Sequence, residues 1–224
     1  MQLKIEINYR GEKMIFISLE GIDGSGKTTI ARIIKDKLSQ KGMSVLLTRE
    51  PGGENISEKI RELILDPENT DMSAGTEALL YIASRKQHLD NVIIPALRNG
   101  TVVISDRFMD STTVYQGFAR KLGITDIDEI QNIVIGSAKP DLTLFFDITP
   151  EEAKERLQNR TRTADRLDRE SDDFYKKVYE GYRMLINENS NRIKVIDARK
   201  EIDVISRQCM YLIEELLEER DTKK

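Results

Sequence analysis

The strongest constraint on this chain is a set of five short runs that are apolar at nearly every position. They are residues 14–19 (MIFISL), 44–48 (SVLLT), 101–105 (TVVIS), 142–147 (LTLFFD) and 193–197 (IKVID). A strand with one wet face alternates apolar and polar residues, whereas a strand covered on both faces does not. Amphipathic stretches separate the runs. Residues 27–40 put Ile30, Ile33, Ile34 and Leu38 on one side, and 75–98 carry Leu79, Leu80, Ile82, Ala83, Val92, Ile93 and Leu97 at helical spacing. The same spacing recurs over 151–160, 171–189 and 201–219. This alternation predicts one α/β domain over residues 1–224, a three-layer α/β/α sandwich around a five-stranded parallel sheet.

Composition narrows the function classes. Lys and Arg total 35 against 39 Asp and Glu, a net charge of −4, so no basic surface announces a nucleic-acid binder. No apolar run approaches the ~18 residues of a membrane span. The first ten residues, MQLKIEINYR, hold no apolar core of a secretion signal. One cysteine forbids an internal disulfide and points to a reducing, cytoplasmic compartment. With a single histidine besides, a zinc site lacks ligands. Residues 1–13 read in two ways. Leu3, Ile5, Ile7 and Tyr9 alternate with polar residues as in an edge strand, or the segment is a tail ahead of a start at Met14. The terminal ELLEERDTKK ends a helix and frays.

The chemistry starts at Gly21-Ile22-Asp23-Gly24-Ser25-Gly26-Lys27-Thr28, which fits G-x-x-x-x-G-K-[ST]. It follows the first strand directly and opens the first helix, as a phosphate loop must. Its glycines let successive N–H groups turn toward phosphate oxygens, and the helix N-terminus favours an anion. Lys27 supplies a point charge to the β- and γ-phosphates of ATP, Thr28 ligates Mg²⁺, and Thr29 completes the nucleotide-binding set. Asp106, at the end of the third run, reads as the strand-end carboxylate holding a metal-bound water. No guanine-reading N-K-x-D motif is present. A P-loop kinase fits the chain's size.

Four segments then resemble the thymidylate kinase family. Leu19-Glu20-Gly21-Ile22-Asp23-Gly24 is similar to that family's phosphate loop, and Thr48-Arg49-Glu50-Pro51-Gly52-Gly53 matches its T-R-E-P-G-G signature. Leu79-Leu80-Tyr81-Ile82-Ala83-Ser84-Arg85 resembles its base-reading helix. The stretch Asp106-Arg107-Phe108-Met109-Asp110-Ser111-Thr112-Thr113-Val114-Tyr115-Gln116-Gly117 resembles D-R-[YFH]-x-x-S-x-x-A-Y-Q-G. Val114 stands where Ala is usual and Ser84 where Asp is common. The resemblance implies ATP-dependent phosphorylation of dTMP to dTDP by a homodimer. It implies that Tyr81 stacks on thymine and Arg85 bonds its carbonyl. It places Tyr115 under the deoxyribose and the 3′-hydroxyl on Asp23. Glu50, Pro51, Ser111, Thr112 and Gln116 join the acceptor site. From the residues alone, Arg49, Arg85 and Arg107 lie near the carboxyl ends of strands and suit an anionic acceptor, while Tyr81 or Phe108 offers a face to a base.

Residues 154–169 (KERLQNRTRTADRLDR) hold six basic and three acidic side chains within an acidic protein. They read as a lid, about 154–170, that closes over the phosphates and excludes water. Asp165-Arg166-Leu167-Asp168 resembles the lid motif of the bacterial-type branch, in which the lid rather than the phosphate loop supplies an arginine. Arg166 is the first choice for that role and Arg162 the second, joining Lys27, Asp23 and Arg107 as catalytic residues. The rival readings are another nucleoside monophosphate or deoxynucleoside kinase, and a nucleotide-binding regulatory module. Intact Lys27, Asp106 and lid arginines disfavour the latter. His88 reads as a solvated or capped helix residue, Cys209 as a core thiol, and Glu20 as either structural or orienting metal-bound water.

Overall fold

The computed structural model describes residues 15–158 and 165–222. The readings for residues 1–13 and for Arg162 therefore lie outside the described residues. In chain order the elements are β1 (Phe16–Glu20), α1 (Lys27–Gln40), β2 (Val45–Arg49), α2 (Asn55–Leu65) and α3 (Ala74–His88). A π-helical turn, Leu89–Ile93, leads into α4 (Ile94–Arg98), followed by β3 (Val102–Asp106) and α5 (Met109–Thr112). A second π-helical stretch, Thr113–Ala119, precedes α6 (Ile124–Ile135) and β4 (Leu142–Asp147). Then come α7 (Pro150–Gln158), a 3₁₀ turn (Leu167–Arg169), α8 (Asp172–Glu188), β5 (Ile193–Asp197) and α9 (Ile202–Thr222).

The five strands are parallel in the order β2-β3-β1-β4-β5. All five β1 residues are buried, as a central strand covered on both faces requires. Alternation divides them. Ile17 and Leu19 join Ile30, Ile34 and Leu38 of α1 and Cys209 and Ile213 of α9 in one core. Phe16 faces a second core with Val103, Leu97 and Phe108. Ser18 and Glu20, two and four residues on from Phe16, share its side. Burial also pushes the Cys209 thiol up to about 12, in keeping with a core role.

Each apolar run became a strand, displaced by at most two residues. The helices α2 and α6, and α5 with its π continuation, fall outside the periodicity read above. Ser57, Asp110, Thr112, Gln116 and Gln131 are buried in them, and polar residues on a buried side erase the apolar repeat. The single helix expected over 75–98 contains the π turn directly before Pro95, whose missing N–H interrupts the i→i−4 ladder. The adjacent order β2-β3-β1 brings the carboxyl ends of these strands, and the loops after them, to one edge of the sheet. That is where open α/β sheets bind ligands.

Candidate active site

The phosphate loop runs from β1 into α1. Gly24 has φ +88, and a Cβ there would lie 2.6 Å from the Ala153 carbonyl oxygen of α7, so only glycine fits. Lys27 is 5% exposed, and its ammonium donates to the carbonyls of Gly21 and Ile22 (both 2.9 Å) and to Ser25 Oγ (3.2 Å). Burial and Arg107 push Lys27 down to about 8, against the pull of Asp106, Asp23 and Glu20. The Thr28 hydroxyl donates to the Asp106 carboxylate across the sheet edge. One hydroxyl and one carboxylate oxygen suit Mg²⁺, which takes few protein ligands and completes its shell with water and phosphate. Among the described residues no group of three or more His, Cys, Asp or Glu could hold another metal. Thr29 is exposed on the first turn of α1 and lines neither cavity described below.

Arg107 follows β3 with φ +73, a left-handed backbone that costs a non-glycine residue on the order of 1–2 kcal/mol. Its N–H donates to Leu19 O (2.9 Å), and its carbonyl accepts from Ser105 Oγ (2.7 Å). The next N–H, of Phe108, donates to Glu20 Oε1 (2.7 Å). Glu20 Oε2 accepts from Ser111 Oγ (2.6 Å) and Tyr182 Oη (2.8 Å). Glu20 is thus turned into the core, not toward metal-bound water. The guanidinium fixed by this turn donates to Asp23 Oδ1 (2.8 Å) and Ser111 Oγ (3.1 Å).

Two cavities meet at this pair. A smaller one, about 150 Å³, lies over the phosphate loop and is lined by Lys27, Thr28, Arg49 and Asp106. A larger one, about 280 Å³, is lined by Glu50, Pro51, Tyr81, Arg85, Ser111, Thr112, Tyr115 and Gln116. Asp23 and Arg107 wall both. The structure therefore assembles every residue expected at the acceptor except Arg49. Arg49 sits on the phosphate-loop side, its guanidinium bidentate on Glu58 (2.7 and 3.0 Å). In the larger cavity the buried Tyr115 hydroxyl finds no hydrogen-bond partner among the described residues, and the Arg107 guanidinium lies 5.3 Å over its ring. An orphaned buried hydroxyl beside a cavity is a sign of a polar ligand.

One expectation needs correction. His88 is not solvated. It is fully buried, with Nδ1 3.0 Å from Glu50 and Nε2 2.7 Å from Thr48 Oγ1. Gly53 exists to admit it, since a Cβ there would stand 2.4 Å from Nε2. Arg166 does not line the phosphate-loop cavity. Its guanidinium donates to the buried carboxylate of Glu77 and to Ile64 O (2.7 Å), and its N–H donates to Leu65 O (3.1 Å). Glu77 is unpaired without such partners. Against the raising effect of burial, Gln116, Arg120 and Arg166 hold its carboxyl below the usual range.

The family model for thymidylate kinase matches residues 19–209. The chain belongs to the thymidylate kinase family. Over 210 residues it is 52% identical to the thymidylate kinase of Mycoplasma capricolum subsp. capricolum, covering 93% of this chain and 99% of that one. It is 50% identical over 194 residues to the Clostridium novyi enzyme, covering 86% and 95%. The crystal structure of thymidylate kinase from Ehrlichia chaffeensis superimposes with a TM-score of 0.73 at 30% identity, covering 90% of this chain and 98% of that one.

Two site residues escaped the sequence. Arg61 of α2 lines both cavities, and Glu77 of α3 gathers Gln116, Arg120 and Arg166. Both sit on ordinary amphipathic helices, and only the partners met in space single them out.

Glu20 gives the site a pH signature. Burial and the neighbouring Asp110 push its carboxyl up to about 7, against Arg107, Ser111 and Tyr182. A carboxyl raised in the native state binds more protons there than in the unfolded chain. Its contribution is fully present below about 4.5 and is lost as pH rises through about 7. From about pH 5 to about pH 8 the native chain should lose stability relative to a Glu20→Gln variant, by on the order of 1–3 kcal/mol. Urea denaturation across that range checks it. Parallel pH profiles for the two proteins would mean that Glu20 does not titrate there.

Proposed function

We propose that this chain transfers the γ-phosphoryl group of ATP to dTMP, giving dTDP and ADP, within the cytoplasm. The observation carrying this reading is the Asp23–Arg107 pair, which forms a wall common to the phosphate-loop and acceptor cavities. Two phosphates drawn into them meet at that wall, as in-line transfer requires. No covalent intermediate is needed, so the residues' work is positioning and charge stabilisation.

Gly21, Ile22, Asp23, Gly24, Ser25 and Gly26 present the loop backbone to the triphosphate, and Lys27 turns from the loop carbonyls to its β- and γ-oxygens. Thr28 and Asp106 would hold Mg²⁺, which when bound neutralises charge between those phosphates. Arg107 grips the acceptor phosphate and Asp23 accepts a hydrogen bond from the 3′-hydroxyl. Tyr115 lies under the deoxyribose, Tyr81 stacks on the base, and Arg85 donates to its carbonyl. Arg166 is engaged by Glu77, so its role becomes anchoring the end of the lid. The charge on the transferring group then falls to Arg162.

A second copy of the chain is the proposed partner. Ile56 (50% exposed) of α2, Leu79 (57%) of α3 and Ile133 (66%) of α6 lie on three helices packed in sequence, α2 on α3 and α3 on α6. Large apolar side chains left this open are suited to a self-complementary helical interface.

ADP release with dTMP, dUMP, ribo-TMP and CMP as acceptors tests the function. dTMP should be strongly preferred, and Lys27→Ala should reduce turnover about a hundredfold or more while the melting profile is retained. Preference for another acceptor would overturn the assignment. For the lid, Arg162→Ala should lower kcat by about a thousandfold with a small change in dTMP KM. Arg166→Ala should be milder in kcat, and the reverse order would return the catalytic role to Arg166. Sedimentation should show a dimer that Ile133→Glu converts to monomer.

A further inference from the structure

The only histidine in the chain is fully buried at the end of α3, and the mechanism above makes no use of it. Its two ring nitrogens have different partners. A carboxylate can only accept, so the nitrogen facing Glu50 Oε1 (Nδ1, 3.0 Å) carries a proton. In a neutral ring the other nitrogen then accepts from the Thr48 hydroxyl (2.7 Å). Thr48 belongs to β2 and Gly53 packs directly against the ring, so the imidazole is fixed on both sides.

Glu50 carries the restraint onward. Its second oxygen accepts from Arg85 Nε (2.7 Å), and both side chains are almost wholly buried. Arg85 Nη1 donates to Thr112 Oγ1 (3.2 Å) and to Gln131, and the guanidinium lies 4.9 Å over the Phe108 ring. Nε and Nη1 are thereby committed to protein, while Nη2 has no hydrogen-bond partner among the described residues and is left for the acceptor cavity that Arg85 lines. The direction of that one N–H pair depends on the orientation of Glu50. Glu50 has one oxygen on Arg85 and the other on His88. Without the imidazole, a buried carboxylate oxygen would lose its partner, and the side chain would be free to turn.

We propose that His88 is a positioning residue for base recognition, holding Glu50 so that Arg85 presents a fixed donor to the base. This rests on the reading that Arg85 meets the carbonyl of thymine. A fixed donor accepts a carbonyl and rejects the amino group that cytosine carries at the same place, whereas a loosened one discriminates poorly.

The test measures kcat and KM for ATP, dTMP and dCMP in His88→Phe, His88→Asn, Thr48→Val and Arg85→Lys. His88→Phe fills the space without a donor. It should raise dTMP KM about tenfold and lower the preference for dTMP over dCMP similarly, with kcat and ATP KM within about twofold. His88→Asn, whose amide can stand in for Nδ1–H, should restore most of both. Thr48→Val, which removes one anchor of the ring, should shift both in the same direction by about threefold. If His88→Phe loses its cooperative melt, Thr48→Val decides, and unchanged KM and preference in it overturn the proposal. Normal dTMP KM and preference in folded His88→Phe, or a fall confined to kcat, also overturn it. Arg85→Lys separates the layers. If it alters base preference while the His88 variants do not, only the positioning role fails. If it leaves base preference unchanged, base reading by Arg85 fails and the positioning role with it.

Discussion

The hydrogen bond from Phe108 N to Glu20 is the constraint on which the site's geometry rests. Glu20 ends β1, the residue before the phosphate loop, while Phe108 follows the left-handed Arg107 after β3. One carboxylate therefore ties the base of the donor loop to the turn that aims the acceptor arginine. Its other oxygen holds Ser111, which in turn holds the Arg107 guanidinium. Backbone strain of this kind survives only where its surroundings over-determine it. Here the N–H and the C=O of Arg107 and the N–H of Phe108 are all committed.

The charges around that turn are arranged in opposed pairs. Arg107 meets Asp23, Arg49 meets Glu58, Arg85 meets Glu50, and Arg166 meets Glu77. The exposed Arg49–Glu58 pair contributes little to stability, because water screens it. The Arg85–Glu50 pair is buried, where removing one partner strands the other at a cost of several kcal/mol. Exposure thus separates arginines that an anion can recruit from an arginine that is part of the framework.

Legibility from sequence followed the range of the interaction. The central strands β1, β3 and β4 declare themselves locally, because nearly every residue is buried, and the phosphate loop does so because its glycines and lysine lie within seven residues. The acceptor residues became legible through the resemblance carried by consecutive motifs such as Thr48 to Gly53. His88, Glu77 and the destination of Arg166 were not legible. Each is defined by a partner on another element: Glu50 after β2, Gln116 beyond α5, and the carbonyls at the end of α2. A histidine on an amphipathic helix has the same local spelling whether it is wet or buried.

The strand order has a consequence for how the chain reaches this state. β1 is made before β2, yet its neighbours are β3 and β4, with Phe16 opposite Val103 and Ile17 opposite Leu142. Its buried sequence must wait for β3 before one edge is paired and for β4 before the other is. Non-local parallel pairing of this kind is slow and leaves exposed strand edges during assembly. The phosphate loop acquires its shape only once β1 is held between β3 and β4, and the period before β4 emerges is when the nascent chain is most open to aggregation.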